Sequence, residues 1–190
     1  MVRFLRPYTI DLDGVRCVGA YGGEFADVVA DEVGELFGPL DGVLRERGSA
    51  LTGRDVLRQL LCGEPKRDEL GPCYGYALHL LCEYGGCALS GWAVRAGWSD
   101  AVRDGLAAVG VDFDPMCLVG SGAPVELPPY DGSPRIGSLT CGEIAALSNE
   151  FAGLRSARLR DRQIAEAVDE LIDWLQICLD RDLDLMCFLL

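Results

Sequence analysis

The C-terminal end of this 190-residue chain carries the pattern that most constrains its fold. From Asp161 to about Asp180, apolar residues recur at helical spacing along one stripe, which predicts a long amphipathic helix. The segment from Leu183 to Leu190 that follows is apolar almost throughout, so other elements must cover it. We therefore expect a terminal strand that lies beside a strand from the start of the chain.

The first residues predict that partner strand. Between Val2 and Leu12 the even positions are mostly apolar, with polar residues between them, a period typical of a half-buried strand. Arg6 breaks the alternation, and Pro7 indicates an edge strand or a bulge because proline has no N–H for a ladder hydrogen bond. The expected fold class is α+β: a small sheet with N-terminal and C-terminal strands, packed by several helices in a single domain over residues 1–190.

Helical spacing and capping residues predict the other helices. The first covers Phe25–Phe37 and ends at Gly38 and Pro39, and the second runs from Thr52 to Gly63. A third, mostly buried helix covers Cys73–Tyr84. Ser99 caps a fourth that reaches Val109, and the capping box of Thr140 and Glu143 begins a fifth. The residues from Gly120 to Ser138 are rich in proline and glycine and predict a long connection, a feature that is often functional in a compact domain.

Charge and histidine content exclude several classes of function. The net charge is −13 and no basic patch is visible, so we expect no nucleic-acid partner. His79 is the only histidine, which excludes a multi-histidine metal site and leaves a Ser-His-Asp or Cys-His mechanism with this one candidate. No stretch has the roughly 20 apolar residues that span a bilayer and the N-terminus lacks the apolar run of a signal peptide, so we expect a cytoplasmic protein with no membrane contact. We also expect no cofactor.

The nine cysteines are odd in number and include no CxxC pair, which predicts reduced thiols rather than a disulfide framework. Cys73, His79, Cys82 and Cys87 could hold zinc, or His79 could activate a cysteine nucleophile. The alternative is a helix in which cysteines fill small apolar positions and His79 pairs with Glu83 one turn on, and we favour this interpretation.

The residues YTIDLDGV, Tyr8 to Val15, resemble the first motif of the haloacid dehalogenase-type phosphohydrolases. The resemblance implies Asp11 as nucleophile and Asp13 as general acid, paired with Mg²⁺. That family also needs a later lysine, and Lys66 lies in a polar loop. The alternative is a strand that ends in an aspartate-rich turn, which needs Asp and Gly for backbone reasons.

Aromatic residues concentrate in the middle of the chain and predict a binding surface. Tyrosine, tryptophan and arginine dominate binding hot spots because each buries a large area and keeps a polar group. We place a peptide-binding site around Tyr76, Trp92, Arg95 and Trp98, with the connection near Tyr130 as a lid. An extended peptide would add a strand to an open sheet edge there, and Arg95 would take a carboxylate or a carbonyl oxygen.

The long C-terminal helix also predicts self-association. Trp174 and Ile177 lie off its apolar stripe, on a face otherwise made of charged residues and glutamine. An exposed pair of this kind is a natural nucleus for a symmetric dimer contact. The alternative is that the N-terminal segment or another helix folds over the pair within the monomer.

Four segments in order resemble uncharacterised cytosolic proteins of high-GC bacteria: IDLDGV, YGYALHLLCEYGG, PPYDGSPRIGSLT, and the long helix with its terminal strand. The chain is also similar to the small peptide-binding accessory proteins of crocagin-type ribosomal peptide pathways. That resemblance implies a non-enzymatic module that holds a precursor peptide for a separate modifying enzyme. Two alternatives remain: the phosphohydrolase, and an acidic immunity protein whose charge speeds its encounter with a basic toxin.

Overall fold

The computed structural model describes residues 2–20, 22–154, 159 and 161–190. In chain order its strands are β1 (Arg3–Ile10), β2 (Cys87–Ala88), β3 (Trp92–Val94), β4 (Arg135–Leu139) and β5 (Asp184–Leu189). Its α-helices are α1 (Leu12–Arg16), α2 (Gly22–Val33), α3 (Gly38–Glu46), α4 (Gly53–Leu61), α5 (Gly71–Gly85), α6 (Trp98–Ala107), α7 (Cys141–Phe151) and α8 (Arg162–Arg181). Short 3₁₀ helices lie at Val18–Ala20, Gly34–Phe37, Asp68–Leu70 and Pro115–Val119.

The chain forms two compact units, each built from segments that are distant in sequence. The sheet unit contains Met1–Ile10, Cys87–Gly122 and Ile136–Leu190. The helical unit contains Asp11–Gly86 and Ala123–Arg135. The single domain over residues 1–190 stays a prediction.

The sheet confirms the α+β class and the two terminal strands. Within the described residues it has five strands in the order β2-β1-β5-β4, and β3 also pairs with β1. β1 and β5 are antiparallel neighbours, with Leu5 opposite Leu189 and Ile10 opposite Asp184. The apolar C-terminal segment is thus covered as expected, since β5 lies inside the sheet and most of its residues are buried.

Pro7 lies in an interior strand, so the expectation of an edge strand is wrong. The N–H of Phe4 donates to the Leu190 carbonyl oxygen at 3.2 Å, and the Phe4 carbonyl oxygen accepts from the Leu190 N–H at 2.9 Å, so even-numbered residues of β1 turn their backbone groups toward β5. Pro7 is odd-numbered, and its missing donor falls on the side of β2 and β3. The ladder stops there, and the Pro7 carbonyl accepts from Leu89 N at 3.0 Å. The pairing of β1 with β3 and its pairing with β2 are separated at this position. No ladder N–H is needed there, so the proline is tolerated.

A single cluster of buried side chains forms the core of the sheet unit. Its members come from strands, helices and connections of this unit, and include Leu5, Trp92, Leu106, Ile144, Val168, Leu171, Trp174, Leu175 and Leu185. The alternation expected for the first strand is wrong at its start, because Phe4 is 50% exposed and Leu5 is buried. Leu5 takes the inward position because it belongs to the cluster that includes Trp92.

Local capping signals place some helix ends and miss others. The capping box of Thr140 and Glu143 begins α7 as expected, and Thr52 caps α4. Ser99 is not the cap of α6: Gly97 precedes that helix in the left-handed region, with φ at 76°. The expectation that Gly38 and Pro39 end a helix is also wrong. α2 ends at Val33, and the glycine and proline open α3, because proline in the first turn loses no helical hydrogen bond.

α5 is the buried helix of the helical unit, as its apolar composition predicts. Two glycines one turn apart on this helix, Gly71 and Gly75, let the segment before β4 approach its backbone. A Cβ atom on Gly75 would lie 2.5 Å from the Tyr130 hydroxyl oxygen and 2.8 Å from Pro134 Cγ. A Cβ atom on Gly71 would lie 2.9 Å from the Pro128 carbonyl oxygen. The small residues therefore fix where this connection packs.

Candidate functional site: an open sheet edge with an aromatic groove

β3 presents an open hydrogen-bonding edge. In the register of β1 and β3, Ala93 lies opposite Phe4, whose backbone groups are turned toward β5. Ala93 therefore belongs to a non-hydrogen-bonded pair, and its N–H and C=O point away from β1. Ala93 is exposed, and the described part of the chain has no strand on its outer side. An edge of this kind is a template for a further strand.

The three tryptophans of the chain stack beside this edge. The ring centroids of Trp92 and Trp174 are 4.3 Å apart with an angle of 35° between planes, and those of Trp92 and Trp98 are 4.9 Å apart at 52°. Trp92 comes from β3, Trp98 begins α6 and Trp174 lies on α8, so the stack joins three elements of the sheet unit. The Trp174 Nε1 donates to Ser90 Oγ at 3.0 Å.

A groove of about 340 Å³ runs along β3. Ala93 and Arg95 line it from the strand side, and Trp98 lines it from α6. The opposite wall is a stripe of α8 whose members are Gln163, Glu166, Ala167 and Glu170. Their spacing of three and four residues places them on one helix face, which continues to Trp174 one turn later. The groove thus combines free backbone groups, an aromatic wall and charges of both signs.

Trp92 contributes a polar group that the described residues leave unsatisfied. Its indole Nε1 is buried and has no hydrogen-bond partner among them. A buried N–H without an acceptor costs about 1–3 kcal/mol, and native folds leave few of them.

The structure brings three of the predicted peptide-binding residues together, with a correction for one. Trp92, Arg95 and Trp98 line the same groove. The expectation that Trp92 lies at the surface is wrong, since it is 5% exposed and packs between the other two tryptophans. Arg95 is exposed and Trp98 is half-buried, so these two are the accessible members.

Tyr76 and Tyr130 belong to the helical unit and not to this groove, which corrects their predicted place in the site. The Tyr130 hydroxyl donates to the Pro134 carbonyl oxygen at 2.7 Å, and the Tyr76 hydroxyl donates to Ser133 Oγ at 3.4 Å. Burial, and secondarily the neighbouring Tyr76, raise the pKa of Tyr130 to about 12. Tyr130 is an anchor of its connection rather than a lid, because its ring packs on the glycine face of α5.

Trp174 does not face solvent, so the basis of the expected dimer contact is wrong. It is 1% exposed, covered by Trp92 and hydrogen-bonded to Ser90. Ile177 is half-buried. The ring that packs on Trp174 is that of Trp92 in β3, a segment that the alternative interpretation did not name, and it widens the buried face of α8 beyond the predicted stripe.

The two aspartates of the phosphohydrolase-like motif make local contacts within one helical turn. β1 ends at Ile10, and Asp11 is the N-cap of α1, with its Oδ1 accepting from the Asp13 N–H at 3.0 Å. Asp13 is exposed and forms an ion pair with Arg16 at 2.8 Å, one turn along α1. These contacts are those of the aspartate-rich turn that was the alternative interpretation.

None of the nine cysteines forms a disulfide, but they do not all fill buried positions. Three are exposed: Cys17, Cys87 and Cys117. Burial raises the pKa of Cys82 to about 12, which keeps this thiol protonated and unreactive. Of the proposed zinc ligands, Cys87 lies in the sheet unit and the other three lie on α5. Within the described residues no group of three His, Cys, Asp or Glu side chains could hold a metal ion.

Sequence reasoning missed two parts of the groove. Glu166 and Glu170 read as a solvated face of α8, although their spacing to Trp174 by eight and four residues, or about two turns and one turn, places them on the face of a buried tryptophan. Ala93 carries no signal of its own, because the direction of its backbone groups depends on the pairing parity that Phe4 and Leu190 set.

The fold and the groove define an α+β protein with an open-edged sheet and an aromatic cleft beside it. The chain belongs to a family defined as a domain of unknown function, DUF7691, whose model matches residues 1–189. No curated protein and no solved structure matches the chain. In the part of the chain that the structure describes, none of the helices has the length and apolar character required to cross a membrane.

Proposed function

We propose that this protein is a non-enzymatic, cytoplasmic peptide-binding module that holds an extended peptide along β3. In this proposal the peptide is the precursor in a bacterial ribosomal peptide pathway, presented to a separate modifying enzyme. The pathway follows from the resemblance of the chain to crocagin-type accessory proteins. The binding mode follows from the groove.

The observation that carries the binding mode is the outward direction of the Ala93 backbone on the strand side of the groove. A peptide strand paired there gains two main-chain hydrogen bonds with Ala93, each worth about 0.5–1.5 kcal/mol net. Main-chain pairing alone does not discriminate between peptide sequences, so specificity comes from the side chains that the peptide directs into the groove. Trp98 offers them an aromatic surface, and Arg95 can take a carboxylate or a carbonyl oxygen.

A proline substitution tests this mode directly. Ala93→Pro removes the outward N–H and places a ring at the edge, but breaks no hydrogen bond to β1. Ala88→Pro is the matched control: Ala88 lies opposite Tyr8, an even-numbered residue of β1, so its N–H also points outward. Ala88 does not line the groove. A displayed library of random peptides is selected on the wild-type protein, and the affinities of the enriched peptides are measured on both variants.

We expect Ala93→Pro to weaken the enriched peptides by about tenfold or more, and Ala88→Pro to change them less than about twofold. Equal affinity for the wild type and Ala93→Pro would show that peptides bind elsewhere. Failure of the wild-type protein to enrich any peptide would refute the proposed function.

A further inference from the structure

The α8 wall of the groove carries carboxylates that the fold does not neutralise equally. Glu166 forms an ion pair with Arg162 at 2.7 Å, and both side chains are exposed. Glu170 is half-buried and has no ion-pair partner within the described residues. A carboxylate in a partly dry wall interacts more strongly with an added charge than one in open solvent. Glu170 is therefore the group of this wall that most favours a cation.

Arg95 is the opposing charge in the groove, but it is exposed. Its guanidinium has no ion-pair partner in the described part of the chain, and its long side chain can extend into solvent, where water and salt screen it. The half-buried Glu170 cannot be screened to the same degree. The net charge of −13 adds a field that attracts cationic ligands to the whole chain.

The aromatic wall favours the same class of side chain. Trp98 is half-buried, tilted by 52° against Trp92, and lines the groove that Glu170 also lines. A guanidinium or an ammonium group is attracted to an indole face, and arginine can stack on it while it donates hydrogen bonds to a carboxylate. A groove with both an indole and a carboxylate without an ion-pair partner can therefore contact one basic side chain in two ways: the indole stacks on it, and the carboxylate accepts its hydrogen bonds.

We infer that the groove selects peptides that place a basic side chain, arginine above all, between Trp98 and Glu170. This inference rests on the proposed function, because the peptide must first pair with β3. It identifies the recognised class as an extended segment with a central basic residue.

The test uses three fluorescein-labelled seven-residue peptides of alternating threonine and valine, which differ only at the central position. That position is arginine, citrulline or glutamate, and citrulline keeps the shape of arginine without its charge. Binding is measured by fluorescence anisotropy to the wild type, to Glu170→Gln and to Ala93→Pro. Asp169→Asn is the matched control, because it removes one charge from the same helix at an exposed residue outside the groove. Circular dichroism confirms that each variant is folded.

We expect the wild type to bind the arginine peptide about tenfold tighter than the citrulline peptide and to bind the glutamate peptide most weakly. In Glu170→Gln the preference for arginine should fall to about threefold or less, whereas Asp169→Asn should retain it. Equal binding of arginine and citrulline peptides, lost in Ala93→Pro, would overturn the inference and leave the proposed function in place. Binding of none of the three peptides, or binding that Ala93→Pro leaves unchanged, would overturn both.

Discussion

Truncation of Trp174 should destabilise the sheet unit by several kcal/mol. A buried tryptophan removes about 150–250 Å² from water, which at about 25 cal/mol per Å² corresponds to about 4–6 kcal/mol. Trp174 is 1% exposed, so nearly all of this area is buried. Alanine keeps a small part of it, and we therefore expect Trp174→Ala to lower the free energy of unfolding by about 3–5 kcal/mol. The hydrogen bond to Ser90 contributes about 1 kcal/mol of this loss.

Urea unfolding followed by far-UV circular dichroism measures the effect, because tryptophan fluorescence changes with the substitution itself. Ser90→Ala is the matched control, since it removes the acceptor of the indole N–H but leaves the stack in place, and should cost about 1 kcal/mol. Trp98→Ala should cost less than Trp174→Ala, because Trp98 is half-buried. If Trp174→Ala remained within about 1 kcal/mol of the wild type, Trp174 would not be a core residue and the stack beside the groove would not be structural.

Three further predictions concern the helical unit. Gly75→Ala should displace the connection that Tyr130 anchors and speed its limited proteolysis, because the added Cβ would lie 2.5 Å from the Tyr130 hydroxyl oxygen. Gly85→Ala on the same helix is the control. Its Cβ meets no atom within 4 Å, so the digestion pattern should not change. Asp11→Ala should lower the free energy of unfolding by about 1 kcal/mol in urea unfolding, and Asp11→Asn should lower it much less, because asparagine also caps a helix. Mg²⁺-dependent phosphatase activity that Asp11→Asn abolishes would instead support the phosphohydrolase alternative. The free energy of unfolding should fall as pH rises from about 9 to about 12, because the Cys82 thiol keeps its proton in the folded state until about pH 12 but loses it near pH 9 when unfolded. A free energy of unfolding that stays constant across an alkaline series of urea titrations would contradict the burial of Cys82.

The sequence by itself determined what depends on local chemistry. The capping box of Thr140 and Glu143 begins α7 where the spacing predicts, because both of its hydrogen bonds lie within one turn. The apolar run after Leu183 had to become a covered strand, and the apolar residues of α5 had to be buried. In each case one segment carries the whole signal.

Tertiary structure alone decided the site. Trp174 reads as exposed by helical periodicity, and it is buried because Trp92, distant in sequence, packs on a second side of the helix. Ala93 is at an open edge because the hydrogen bonds between Phe4 and Leu190 set the parity of β1, and Pro7 ends the ladder beside it. Such outcomes depend on contacts between distant segments. The pattern of a single segment does not record which neighbour will cover it or which way its backbone groups will point.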